Sequence, residues 1–353
     1  MAFYGDTIIV PQFTDILKGD KMRVSVRLVA SLAKHILKNK LASREKFPLV
    51  LMLEVTHLCN LACKGCGRIR EYKETLKELM TTEDCLASVD ECDAPVVSVT
   101  GGEPLMHPHI GDIVSGILGR KRHVYLITNG LLLAESFHKL KPSPYFNINV
   151  HIDGLEETHD AITGIQGVFK KATEAIKMAK DSGFKVCTNT TIYKNTAPEE
   201  IEELFLFLEK LRVDGMLVAP AFDFEDNKNN IFLCREEVQQ KFGFIYNLSR
   251  RFKVINSPLY LKFLKGERDL RCSPWGNPTR NYLGWKSPCY LITDTHYASY
   301  HEFMASTDWE KYRSGSDPRC KNCMMHCGYE ATAVFEVGKK FSDILEMARR
   351  SFS

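Results

Sequence analysis

Cys59, Cys63 and Cys66 form a CxxxCxxC run directly after an apolar stretch at 48–55. Thiolates are soft ligands, and iron–sulfur clusters are usually held by four of them. Three closely spaced thiolates can grip three irons of a [4Fe–4S] cube and leave the fourth open. An open iron can bind a substrate or cofactor, so the spacing predicts a working cluster. The competing reading is a structural zinc loop, which needs a second cysteine pair or two histidines; only His57 stands close by.

Two other groups carry chemistry. Gly101-Gly102-Glu103-Pro104 ends a second apolar run. Its glycines let the backbone approach a ligand closely, and Glu103 can accept from an ammonium group. Near the C-terminus, Cys320, Cys323 and Cys327 form a CxxCxxxC run, with Cys272 and Cys289 as distant partners. Cys289, Cys320, Cys323 and Cys327 could bind a second iron–sulfur cluster or a zinc ion. Buried free thiols are the alternative.

These residues need a scaffold. Short β-rich runs at 49–55, 96–100, 123–128, 146–152, 185–193 and 215–219 alternate with helical patterns at 82–91, 109–118, 168–182 and 197–211. Thr82 and Thr196 read as helix starts. Such alternation predicts an α/β fold, a parallel sheet covered by helices and curled by right-handed crossovers into a partial (β/α)6 barrel. Sites in such barrels lie at the C-terminal strand ends. There the sequence places Gly101–Glu103, Asn129, His151, Asp153, Asn189 and Thr191.

Three segments are expected: a basic amphipathic piece at 1–47, the core at 48–222, and a Cys- and aromatic-rich extension at 223–353. In the first, Met22, Val26, Val29, Ala33 and Ile36 form one stripe, and Arg23, Arg27, Lys34 and Lys38 another. Such a helix can lie in a membrane interface, or pack on the body with its basic face solvated. A net charge of +3 over 353 residues gives no reason to expect nucleic acid. No apolar run approaches the ~18 residues of a membrane span. The start of the chain lacks the pattern of an export signal. With 12 cysteines, this predicts a reducing, cytoplasmic setting with metal-bound or buried thiols, at most at the inner face of the membrane.

CxxxCxxC after a first strand and Gly-Gly-Glu-Pro after a second resemble the radical S-adenosylmethionine (SAM) superfamily, over roughly 48–222. The resemblance implies a [4Fe–4S] cluster on Cys59, Cys63 and Cys66, and SAM as cofactor. It places the SAM amino group at Gly101–Glu103, the ribose at His151 or Asp153, and SAM's polar end at Asn189, with Asn129 close by. It also implies a one-electron donor such as a flavodoxin or ferredoxin. Gly65 departs from the pattern, because the superfamily usually has an aromatic there, near the adenine.

Further stretches, at 48–54, 59–63, 141–146, 150–154, 275–280, 288–291 and 326–334, resemble the hopanoid-biosynthesis radical SAM enzymes. That resemblance implies addition of a 5′-deoxyadenosyl radical to the alkene of hopene, giving adenosylhopane and consuming SAM. Phe222, Phe224, Trp275, Tyr282 and Trp285 are candidate walls for an apolar pocket. No catalytic residue is legible; Cys187 and Tyr193 are candidates for quenching the product radical. Thr56-His57-Leu58 and Gly130 depart from the hopanoid pattern, leaving open another isoprenoid or a SPASM-like peptide maturase. A non-catalytic zinc module is the reading outside enzymes.

Overall fold

The structure, a computed structural model, describes residues 25–67, 71–222 and 231–352. Six parallel strands form the core: β1 (Val50–Thr56), β2 (Val96–Gly101), β3 (His123–Thr128), β4 (Phe146–His151), β5 (Lys185–Ile192) and β6 (Gly215–Pro220). They pair in chain order, with Leu51 opposite Val97 and Leu126 opposite Ile148. β6 does not close onto β1, so the barrel is open, as expected.

The strands read as near-continuous apolar runs because both faces are covered. Leu51, Leu53, Val97, Val99, Val124, Leu126, Ile148, Val150, Val186 and Val218 are all wholly buried. Each such side chain contributes about 1.5–3 kcal/mol over its exposed state.

Helix α1 (Val26–Leu41) precedes the barrel. The crossovers then carry α2 (Thr82–Cys92), α3 (Ile110–Gly119), the short α4 (Leu133–Ser136), α5 (Glu156–Thr163), α6 (Val168–Asp181) and α7 (Pro198–Lys210). The cap of α2 is Thr81, one residue before the expected start; its Oγ1 accepts from the Asp84 N–H at 3.0 Å. Proline opens α7, where the missing N–H costs nothing. Thr196 instead turns its hydroxyl back to accept from the Tyr193 N–H at 3.1 Å.

Helix α1 differs from the sequence expectation in which face it buries. Leu28, Leu32 and Ile36 face the body, with His35 and Asn39 buried. His35 Nε2 donates to the Pro48 carbonyl at 2.9 Å. Val26, Val29 and Ala33, part of the apolar stripe read from spacing, are exposed. His35, with its partner in the body, holds that face inward, and Asn39 Nδ2 bonds within the helix to His35 O at 2.9 Å. Met22 and Arg23 lie outside the described residues.

The extension is not a separate layer. Helices α8 (Arg235–Leu248) and α9 (Pro258–Leu264) follow the barrel. The stretch after Cys272 then forms β7 (Thr279–Asn281), β8 (Gly284–Pro288) and β9 (Thr293–Tyr297). β7 pairs in parallel with β1, and β8 and β9 continue antiparallel, making one nine-stranded sheet. Asn281 Nδ2 donates to Glu54 Oε2 at 3.1 Å, and the Tyr72 hydroxyl donates to the same oxygen. α12 (His326–Glu336) carries the last cysteine, Cys327, in its first turn; the short α10 (Tyr300–Ser306) and α11 (Trp309–Arg313) precede it.

Candidate active site

The loop after β1 carries Cys59, Cys63 and Cys66, each half-buried. Backbone hydrogen bonds fasten it to the end of β2: Gly102 N–H donates to Thr56 O at 2.7 Å, and Glu103 N–H to Leu58 O at 2.8 Å. Lys64 N–H reaches Ile162 O at 2.9 Å, tying the loop to α5. Asn129, after β3, donates from Nδ2 to Asn60 Oδ1 at 2.7 Å.

The loop borders a cavity of about 500 Å³. Cys59, Cys63, Cys66, Gly101, Gly102, Asn129, His151, Asp153 and Asn189 all line it. The structure thus brings together nearly all the residues expected at the strand ends.

Glu103 is placed differently. It is wholly buried beneath the cavity, not on its wall. Its carboxylate accepts from Leu105 N–H, Thr128 Oγ1 and Asn129 N–H at 3.1, 2.8 and 2.8 Å. It joins the ends of β2 and β3 and so fixes Asn129.

On the far wall, His151 Nε2 meets Asp153 Oδ2 at 2.7 Å. Burial opposes charge on both, but each stabilises the other's charged form: the histidine is raised and the aspartate lowered. Asp153 Oδ1 accepts from the Thr191 N–H at 2.8 Å, which further favours the carboxylate.

Two lining groups, His159 and Asn149, were not singled out from the sequence. Burial pushes His159 down to about 4, so it is neutral. Its Nδ1 accepts from the Asp153 N–H at 3.1 Å, which leaves the proton on Nε2, a buried atom without a partner. Asn149 and Asn189 likewise carry buried Oδ1 atoms without partners on the cavity wall. His159 sits one turn into α5, a position that sequence pattern does not mark.

Tyr193 fills the space beside Gly65. A Cβ at 65 would lie 2.8 Å from the Tyr193 hydroxyl and 2.9 Å from its ring. The aromatic surface missing from the cluster loop thus comes from the end of β5. Gly65→Tyr alone is expected to weaken SAM binding, since overpacking costs ~1–3 kcal/mol. Combining it with Tyr193→Ala should restore binding in a calorimetric titration of the reconstituted protein. A double variant no better than Gly65→Tyr would show that the two positions do not share one space.

The other pocket candidates divide. Phe222 lines the cavity. Trp275 and Trp285 are buried in the core, where the Trp285 Nε1–H donates to Glu91 at 3.1 Å. Tyr282 is exposed, and Phe224 lies outside the described residues. Cys187 is buried near Gly215 and does not line the cavity, so it cannot reach a radical there. The apolar walls are instead Leu28, Leu32, Leu49, Met52 and Leu217.

The C-terminal thiols gather around a second, smaller cavity of about 320 Å³. Cys289, Cys320, Cys323 and Cys327 line it, as expected, and Cys272 makes a fifth. A Cβ at residue 328 would lie 2.2 Å from Cys272 Sγ, so Gly328 is what admits that thiol. Among the described residues, no three His, Cys, Asp or Glu side chains converge on one ion position. Both cysteine groups border cavities.

Comparison with known proteins places this geometry. Residues 53–208 match the family model of the radical SAM superfamily. The core of this chain is thus similar to the radical SAM superfamily. Residues 216–347 match the model DUF3463, described as a domain of unknown function. The first match ends in α7 and the second begins in β6.

The chain is 27% identical over 256 residues to an AdoMet-dependent heme synthase of Nitratidesulfovibrio vulgaris, covering 67% of this chain and 69% of that protein. A heme synthase of Methanosarcina barkeri is 32% identical over 169 residues, or 46% of this chain and 48% of that one, so the chain spans about half of that relative. Streptococcus suis SuiB, solved with S-adenosylmethionine bound, superposes with a TM-score of 0.59 at 18% identity, over 71% of this chain and 62% of that one. That likeness is one of fold. These relatives are not hopanoid enzymes, so the comparisons support the superfamily and leave the finer resemblance unsupported.

A [4Fe–4S] cluster and SAM are the cofactors of a radical SAM domain. The residues present fit them. At Gly101 and Gly102 a Cβ would lie 2.1 Å from Thr56 O and 1.8 Å from Leu58 O, so only glycine leaves this cradle in place. Above it, Cys59, Cys63 and Cys66 would hold the cluster. Burial, followed by the charges of Cys66, Asp153 and Cys59, pushes the Cys63 thiol up to about 12. Loading iron must therefore expel that proton.

Proposed function

We propose that the protein is a radical SAM transferase whose substrate is a large, apolar, unsaturated lipid of the hopene class. The observation that carries this reading is the main cavity: its walls away from the cluster loop are mostly aliphatic, and they continue past the strand ends into the barrel. Enzymes that hold drug-sized apolar ligands use such walls with a few placed polar groups. When bound, the cluster and SAM would supply a 5′-deoxyadenosyl radical; its addition to the alkene would leave a carbon radical that must gain a hydrogen atom, or an electron and a proton. The chain's own residues then bind, orient and exclude water.

Asn189, His151 and Asp153 would hold the polar end and ribose of SAM, with the His159 Nε2–H as a further donor. Glu103 would act at one remove by fixing Asn129. Tyr193 would pack against the adenine in place of residue 65. Of the two quenching candidates, only Tyr193 borders the cavity. Cys289, Cys320, Cys323 and Cys327 would hold a second iron–sulfur cluster or a zinc ion, with Cys272 beside them. A flavodoxin or ferredoxin would supply the electron. A cytoplasmic site at the inner face of the membrane agrees with this substrate; among the described residues, no helix is long and apolar enough to cross a membrane.

A second reading is a peptide-modifying enzyme of the SPASM-like kind. SuiB has also been solved bound to its precursor peptide SuiA, and the second cysteine group suits that architecture. Mass spectrometry separates the two. Anaerobically reconstituted protein given SAM, reductant and hopene is expected to yield a lipid carrying the adenosyl group. Free 5′-deoxyadenosine with unaltered hopene would refute the transfer to hopene.

A further inference from the structure

Helix α1 shows apolar residues on two opposite sides. Inward, Leu28 and Leu32 close one end of the main cavity, beside Leu49, Val50 and Val96 at the starts of β1 and β2. The same cavity reaches Cys59 and Gly101 at the other ends of those strands, so it runs the length of the barrel. Outward, Val26, Val29, Leu37 and Leu41 are 51, 46, 59 and 77% exposed. With 3.6 residues per turn, these four fall within roughly one third of the helix circumference.

Charge marks the outer face further. Arg27, Lys34 and Lys38 run along one flank of the apolar stripe, and Lys40 lies at its other edge. No acidic residue occurs between Ser25 and Arg44. Lys38 spends its charge partly on Asp93, at 2.8 Å. An apolar stripe bordered by cations complements an anionic bilayer surface, where acyl chains take the apolar face and headgroups the lysines.

We propose that α1 is a membrane-seated door. Its outer face docks on an anionic bilayer, and the gap between Leu28 or Leu32 and the starts of β1 and β2 admits an apolar lipid from that bilayer directly into the barrel. The proposal rests on the reading of the substrate as a lipid. An apolar substrate then never crosses water, and it arrives at the strand-start end while SAM and the cluster occupy the strand-end side.

The test uses the full-length reconstituted protein and two variants at exposed or cavity-edge positions. With vesicles of phosphatidylglycerol and phosphatidylcholine, the parent is expected to float with the lipid, and Val29→Asp/Leu37→Asp to bind about tenfold less. Binding that is unchanged in that variant, or equal on phosphatidylcholine alone, overturns the docking surface. A concentration-dependent dimer abolished by the same variant would assign the face to a second copy instead.

The passage is read without turnover. A long-chain alkyl diazirine in the vesicles is expected to label the segments around Leu49–Met52 and Val96–Ser98 in the parent. Leu32→Trp should lose that labelling while keeping vesicle and SAM binding. Equal labelling in Leu32→Trp overturns the passage. Vesicle binding and labelling without any adenosylated lipid would instead count against the proposed substrate and leave the door standing.

Discussion

Cys63→Ala is expected to abolish reductive cleavage of SAM and to lower iron at the first site while leaving the fold intact. Residues outside a metal's direct ligands already cost about 10–100-fold when lost, so removal of a ligand should exceed about 100-fold. The side chain lies in a loop held by the backbone bonds of Lys64 and Cys66, which alanine keeps. Circular dichroism should therefore match the parent. The checks are 5′-deoxyadenosine yield and the electron paramagnetic resonance spectrum of the reduced protein. Cleavage at the parental rate would remove Cys63 from the cluster.

The second large effect is expected at Gly102. A methyl group there would stand 1.8 Å from Leu58 O and 2.9 Å from His57 O, and backbone cannot give way as a flexible side chain would. Gly102→Ala must push the cluster loop away from β2 or twist the strand end. Overpacking of ~3 kcal/mol corresponds to a loss of SAM affinity of roughly 100-fold. Gly119→Ala is the control, since nothing lies within 4 Å of its added carbon. Calorimetric titration with SAM checks both. Parental affinity in Gly102→Ala would mean that this cradle does not bound the SAM site.

The barrel was legible because its chemistry is periodic. Apolar runs such as 96–100 and 123–128 are strands because both faces are buried, and the polar residues that interrupt them mark the strand ends. The cavity residues Gly101, Asn129, His151, Asp153 and Asn189 could be named for that reason. What sequence pattern could not give is direction. Glu103 has the right chemistry to face an ammonium group, yet three donors draw it down between β2 and β3. Tyr193 and Gly65 are 128 positions apart in the chain, and only the strand crossovers bring them into contact.

The α1 helix shows a different limit. Spacing finds an apolar stripe on it but cannot say whether that stripe meets protein, because the helix is held by the His35 bond to the Pro48 carbonyl. The extension is a third case. A stretch dense in Pro, Gly and aromatics reads as irregular, yet β7 needs only three residues to join β1. Cys272 was seen as one of two distant partners, but its place among the other four thiols depends on the small residue at 328.

Strand β1, which delivers the cluster loop, is hydrogen-bonded to β2 on one side and β7 on the other. A chain cut after residue 222 would leave the β7 side bare, and an unpaired strand edge recruits other chains. Failure of such a fragment to load iron would thus report aggregation as readily as a missing catalytic part. Point substitutions in the intact polypeptide are the means of separating the roles of the two cysteine groups.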